Sequence, residues 1–353
     1  MRMTWDLFCL VIDNHGDLGV CWRLAADLAG RGEHVRLWVD DATALTWMAP
    51  DGAAGVELRG WPEAAMEVEP GEVVIEAFGC DPPAFFVARM AARATPPLWI
   101  NLEYLSAEPY VERCHRLPSP QSGGPGAGLV KWFFYPGFTA RTGGLLREPG
   151  LLERRRSFSA EAWLAGFGLQ RREGERVVSL FCYANPALPR LLDALADMPT
   201  LLLAAPGPAA QQVRGALGTA MTTGALRATA LPYLTQVNYD HLLWACDLNL
   251  VRGEDSFVRA QWAGVPFVSQ LYPQSDDAHL AKLEAFLDRH LAGASGHWLD
   301  DCRSLWRVWN GAAAALQLPP PSPWGEHCGT WRDRLAAQPD LTSQLLRFTR
   351  EKR

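Results

Sequence analysis

The chain has 353 residues, enough for two domains of ordinary size, and its 48% hydrophobic and 20% charged residues exclude a largely disordered protein. A formal net charge of −6 argues against a nucleic-acid partner, because phosphate backbones are held by clustered Lys and Arg. No charged segment with a long apolar run opens the chain and no stretch approaches about 18 consecutive apolar residues, so a cytoplasmic protein without membrane contact is expected. Eight cysteines (Cys9, Cys21, Cys80, Cys114, Cys182, Cys246, Cys302, Cys328) form no C-x-x-C pair. Reduced thiols and no metal site are expected.

An apolar strand over 5–12 opens into Asp13-Asn14-His15-Gly16-Asp17-Leu18-Gly19, ahead of an amphipathic helix over 18–29. One Ser, Thr, Asn or Asp suffices to cap a helix, so two carboxylates and a histidine in one turn suggest chemistry there. The competing reading makes Asp17 a helix-cap acid and lets Asp13 hold the loop. Gly16 and Gly19 give only G-x-x-G, short of the dinucleotide fingerprint, so hydride transfer loses ground. Strands follow at 34–39 and 73–77, a helix at 83–94 and a strand at 98–102. A Pro/Gly/Ser-rich loop (118–128) leads to the aromatic segment 131–138. The Gly, Pro and Arg-rich stretch 143–156, with Arg154-Arg155-Arg156 as a solvated cluster, places a domain boundary at 150–160.

The second half repeats the alternation: strand 177–182, helix 186–196, strand 200–205, helix 208–217, strand 226–231, helix 236–245 and strand 247–251. Strand–helix alternation means a parallel sheet. The last strand runs into Arg252-Gly253-Glu254-Asp255-Ser256 and a helix over 255–263, and ligands of open α/β sheets sit beyond such strand ends. Backbone N–H groups at that helix start suit a diphosphate, Ser256 adds a hydroxyl donor, and Glu254 can accept from a sugar hydroxyl. A nucleotide-sugar site and a helix merely capped by Asp255 or Ser256 both fit this segment. A helix over 276–291 and a mostly helical tail from 298 to 352 close the chain.

The domains expected are 1–155, 156–325 and a helical tail 326–353 that could pack back on the first. The fold class is α/β, with two Rossmann-like doubly wound domains. By analogy with glycosyltransferase-B enzymes they would face each other, with Asp13 and Asp17 on one wall and Glu254, Asp255 and Ser256 on the other.

The segments Asp13-Asn14-His15-Gly16-Asp17, 99–106, 133–138, 141–148, 248–256 and Tyr272-Pro273-Gln274 resemble the bacterial protein-arginine rhamnosyltransferase family, and the likeness spans nearly the whole chain. Loop 118–128 looks less typical. Membership would imply an inverting enzyme that moves L-rhamnose from dTDP-β-L-rhamnose to one arginine of translation elongation factor P. No Asp-x-Asp metal motif is evident and a helix N-terminus can offset leaving-group charge, so turnover with no metal and no cofactor is expected.

Carried over residue by residue, the resemblance implies that Phe181, Tyr183, Tyr233 and Gln236 hold the dTDP moiety and that Glu254, Asp255 and Ser256 meet the diphosphate and sugar. Phe181 could equally be a core side chain. Arg252 or Arg259 could supply positive charge, although each is more often structural. The catalytic candidates are Asp17, Asp13 and Glu254, with Asn14, His15, Gly16 and Gly19 shaping the loop. Asp17 is favoured over Asp13 as proton acceptor because it lies nearer the helix start. Rival readings are a glycosyltransferase with another acceptor, a nucleotide-sugar epimerase, and a silent nucleotide-binding regulator, which would have no use for Asp13 and Asp17.

Overall fold

The computed structural model describes residues 2–12, 15–61, 68–272 and 278–353. They divide into two compact units, Met1–Pro149 with Leu335–Arg353, and Gly150–Arg334. Residues 150–155, expected in the first domain, fall in the second unit, and so do residues 326–334 of the expected tail.

The first unit runs β1 (Thr4–Cys9), α1 (Gly16–Gly30), β2 (His34–Val39), α2 (Leu45–Met48), β3 (Val56–Gly60), β4 (Val73–Ala77), α3 (Ala84–Ala92), β5 (Leu98–Leu102), α4 (Pro109–Cys114), β6 (Pro118–Pro120) and β7 (Val130–Phe134). Its sheet has the order β3-β2-β1-β4-β5-β7-β6, parallel except for β6. Residues alternate across the strands. Leu7, Val35, Ile75 and Ile100 join Leu24 and Leu28 of α1 on one face, while Phe8, Trp38, Val74 and Trp99 join Phe86 and Met90 of α3 on the other. The chain reverses direction across the sheet between β1 and β4, which creates a crevice at their carboxyl ends.

Inside this unit, Asp6 is fully buried and accepts from both Arg36 Nε and Nη2 at 2.7 Å, from Trp38 Nε1 at 2.8 Å and from Gly71 N at 2.7 Å. A buried carboxylate is tolerated when its lone pairs are met in this way, and removing the arginine alone would leave an uncompensated charge.

The second unit follows with α5 (Leu151–Arg156), α6 (Ala160–Gly166), β8 (Arg176–Leu180), α7 (Leu188–Ala196), β9 (Thr200–Ala204), α8 (Pro208–Leu217), β10 (Thr222–Thr223), β11 (Leu226–Ala230), α9 (Gln236–Ala245), β12 (Leu248–Arg252), α10 (Glu254–Ala263), β13 (Phe267–Gln270), α11 (Ala278–His290), α12 (Trp298–Trp309) and α13 (Pro321–Ala336), the last of which crosses into residues of the first unit. Its sheet, β10-β11-β9-β8-β12-β13, is parallel apart from β10 and reverses between β8 and β12. Leu164 of α6 and Leu242 of α9 pack with Val177, Leu201 and Leu203 on one face.

The chain ends in α14 (Leu341–Lys352), which returns to the first unit. Asp340 caps it by accepting from Ser343 N at 2.8 Å, and Arg31, at the end of α1, donates to Asp340 Oδ1 at 2.8 Å and to Ser343 Oγ at 2.6 Å. Leu341, Leu345, Leu346 and Phe348 are buried in the α1 face of the core.

Candidate functional site

Each unit places a polar constellation at its own chain-reversal crevice. In the first unit the ladder between β1 and β2 ends at the Cys9–Val39 pair, three residues short of the end expected from apolarity. The next N–H groups turn to carboxylates: Val11 N donates to Asp40 Oδ1 at 2.9 Å and Ile12 N to Asp17 Oδ2 at 3.0 Å. Helix α1 begins at Gly16, with His15 at its cap position and no side-chain cap bond. Asp17 therefore sits in the first turn, where a negative charge suits the helix dipole, and it anchors the preceding loop. It is 2% exposed, and its Oδ1 accepts from the Tyr104 hydroxyl at 3.4 Å. His15 lies edge-on to Trp47, and Gly19 N bonds His15 O at 2.9 Å. Asp13 and Asn14 lie outside the described residues.

Of the two aromatic residues here, Tyr104 lies in 101–106, a span that the sequence suggests as an acceptor-side surface, and Phe78 escaped the reading of the sequence. Tyr104 follows β5, and Phe78 follows β4 with its ring stacked on Tyr104 at 4.3 Å between centroids. Nearby, burial holds the half-buried Glu103 carboxyl above its usual range, although Asn101 Nδ2 donates to Glu103 Oε1 at 2.9 Å.

In the second unit the same logic brings β8 and β12 together. Leu250 pairs with Leu180, and Phe181 N continues the ladder to Leu250 O at 2.8 Å. Arg252, at the end of β12, is buried, with its guanidinium carbon 4.4 Å from the Phe181 ring centroid and 4.3 Å from that of Tyr183. The structure thus joins three of the expected donor residues, but through one another: a face of each ring is taken by a cation. Gln270 Oε1 accepts from Tyr183 N at 2.9 Å and Gln212 Nε2 donates to Tyr183 O at 3.1 Å, two supports that residue type alone gave no reason to select. Tyr272 stands edge-on to Tyr183, while Pro273 and Gln274 lie outside the described residues.

Gly253 occupies the cap position of α10 and brings no side chain, so neither Asp255 nor Ser256 is the cap residue. The helix starts at Glu254, one residue before the expected start, which puts half-buried Glu254 and buried Asp255 and Ser256 together in its first turn. Ser256 lies against Tyr239, whose phenol burial pushes up. Arg259, the other candidate cation, is bound bidentately by Asp240 at 2.8 and 2.6 Å and is a structural arginine. Gln236 opens α9, buried, behind a Thr235 cap that accepts from Asn238 N at 3.1 Å, while Tyr233 is 56% exposed.

Thiols near both crevices are poor nucleophiles. Burial pushes Cys80 and Cys182 up to about 12 and raises Cys21 well above the usual range. Among the described residues no three His, Cys, Asp or Glu side chains are grouped to hold a metal ion, and no helix is long and apolar enough to cross a membrane.

Comparison with known proteins gives one consistent answer. The model of the Elongation-Factor P (EF-P) rhamnosyltransferase EarP family matches residues 5–350. The chain is 49% identical to the protein-arginine rhamnosyltransferase of Pseudomonas putida, over 99% of each chain. It is 46% identical to that of Pseudomonas aeruginosa, over 98% of each. A solved structure described as the structural basis for EarP-mediated arginine glycosylation of translation elongation factor EF-P superposes with a TM-score of 0.68 at 35% identity, covering 99% of both chains. Two doubly wound units of glycosyltransferase-B type and a match over nearly the whole length place the chain in the EF-P rhamnosyltransferase EarP family of protein-arginine rhamnosyltransferases.

Proposed function

We propose that this enzyme transfers L-rhamnose from dTDP-β-L-rhamnose to an arginine guanidinium nitrogen of translation elongation factor P in the cytoplasm, with inversion and without a metal. The observation that carries the donor half is the convergence of Phe181, Tyr183, Arg252 and the first turn of α10 at the β8–β12 reversal, where α/β sheets receive nucleotides. Arg252 offsets the diphosphate charge, and its aromatic neighbours hold it in place. Tyr233 and Gln236 read the thymine by stacking and amide contact. Glu254 and Asp255 would repel phosphate directly, so they accept from sugar hydroxyls or backbone, and Ser256 and the α10 N–H groups face the phosphate oxygens.

On the acceptor side, an arginine has a pKa above about 12 and its nitrogens lack a free lone pair. An ordinary Asp, near about 3.9, cannot remove that proton before attack. Transfer is therefore concerted: the N–C1 bond forms as the C1–O bond to the diphosphate breaks, and the proton passes from nitrogen to Asp17. Asp13 binds another guanidinium N–H and weakens its delocalisation, and Glu254 assists from the donor side. The α10 N-terminus offsets leaving-group charge in place of a metal.

A single displacement converts the β donor into an α-linked rhamnosyl-arginine, which the NMR spectrum of the modified protein reports. A β-linked product would contradict inversion and the role of Asp17. Turnover that EDTA abolishes and magnesium restores would overturn metal independence.

A further inference from the structure

We infer that Phe78 and Tyr104 form a positioning pair that sets the orientation of the Asp17 carboxylate. The inference rests on the reading of Asp17 as proton acceptor and adds two residues to it. Along β4 the side chains alternate, with Val73, Ile75 and Ala77 on the α1 face and Val74 packed on the α3 face. Simple alternation would send residue 78 to the α3 face, away from Asp17. Instead Phe78 has φ 59°, in the left-handed region, and its ring packs on the α1 side.

That conformation is costly for a bulky residue, so compensating contacts must hold it. Two are evident. Phe78 N keeps its ladder bond to Leu102 O at 2.7 Å, and the ring stacks on Tyr104 with centroids 4.3 Å apart and planes 15° apart. The stacked phenol then reaches Asp17 Oδ1 at 3.4 Å, while Ile12 N engages Oδ2 at 3.0 Å. The two oxygens are thereby held from different segments, one after β1 and one after β5, so the carboxylate plane is fixed. At 3.4 Å the phenol bond is long, so it restrains the direction of the carboxylate more than it stabilises its charge. Backbone strain at a strand end beside a proposed catalytic group thus has a definite use: it turns one ring under another.

The test compares Tyr104→Phe, Phe78→Leu, Phe78→Gly, Phe78→Tyr and Asp17→Asn for kcat, KM and the pH profile, with thermal melts to verify folding. Tyr104→Phe removes one oxygen from a residue 38% exposed, so it leaves the fold intact. It is expected to lower kcat about 10- to 100-fold at unchanged donor KM. Loss of a donor raises a carboxylate's pKa, so its acid limb moves to higher pH. Phe78→Gly accepts the same backbone without strain, yet is expected to lose activity because the stacking ring is gone, as is Phe78→Leu. Phe78→Tyr, which keeps the ring, recovers most of the loss. Wild-type kcat and acid limb in both Tyr104→Phe and Phe78→Gly, with Asp17→Asn inactive, would overturn the positioning pair alone. Wild-type turnover in Asp17→Asn would overturn the assignment of Asp17 and the pair together.

Discussion

The Nδ1 atom of His115 accepts the backbone N–H of Tyr135 at 3.1 Å, and Phe134 lies edge-on to the imidazole with centroids 4.5 Å apart. A protonated ring nitrogen cannot accept, so proton uptake breaks this bond. Burial first, and Arg116 second, push the imidazole down to about 4. In the unfolded chain histidine titrates near about 6.5, so between these values the unfolded state binds the extra proton. The stability contribution is full above about pH 6.5 and is lost as pH falls towards 4, amounting to about 2 kcal/mol after discounting for partial exposure. Urea denaturation across that range should show His115→Gln with a shallower pH dependence than the wild type; equal slopes would contradict it. Residue type showed Asp17 and Arg252 in the sequence, because surplus charge beside a strand end stands out. Phe78 did not stand out, and Tyr104 did so only as part of a candidate acceptor-side surface over 101–106, since their relation to Asp17 depends on one left-handed φ and a stacking contact. Arg259 looked equivalent to Arg252 until the fold gave it Asp240 as a partner.

At the scale of elements, the turn from β12 into α10 depends on Gly253, at φ 76° and ψ 160°, a region open almost only to glycine. Gly253→Ala is expected to lower stability by about 1–3 kcal/mol and to weaken dTDP binding about tenfold by displacing Glu254 and the α10 N–H groups. Calorimetric titration with dTDP checks this, and unchanged affinity would contradict it. Strands β2, β4 and β5 and helices α8 and α9 have the bounds that apolar pattern and flanking breakers predict. The end of β1 was misread because Val11 and Ile12 are apolar, yet their N–H groups leave the ladder for Asp40 and Asp17. β3 and β13 escaped notice for opposite reasons. β3 is an edge strand with a half-exposed Leu58, and β13 is only four residues of buried chain. Four residues are too short a pattern to separate β13 from loop, whereas β3, as long as β4, lacks the continuous apolar run of β4.

At the scale of the whole molecule, the first unit is discontinuous in sequence: α14 comes from the far end of the chain. Burying a Leu or Phe side chain stabilises by about 1.5–3 kcal/mol, and α14 contributes Leu341, Leu345, Leu346 and Phe348. Their sum rivals the net stability of a typical domain, about 5–15 kcal/mol. A fragment ending at residue 149 is therefore expected to lack cooperative unfolding, while adding a peptide of residues 335–353 should restore it, as followed by circular dichroism. A sharp transition in the fragment alone would contradict this. Alternation of strands and helices made the two doubly wound units legible, and the tail expected to pack back on the first domain does so from Leu335 onward, while residues 326–334 stay with the second unit.

The most direct test is the intact mass of purified elongation factor P after incubation with this protein and dTDP-β-L-rhamnose, alongside dTDP-glucose and no-enzyme controls. The expected result is one deoxyhexose, added only with the rhamnose donor and mapping to a single arginine. An unchanged mass, with donor binding verified separately, would contradict the proposed acceptor.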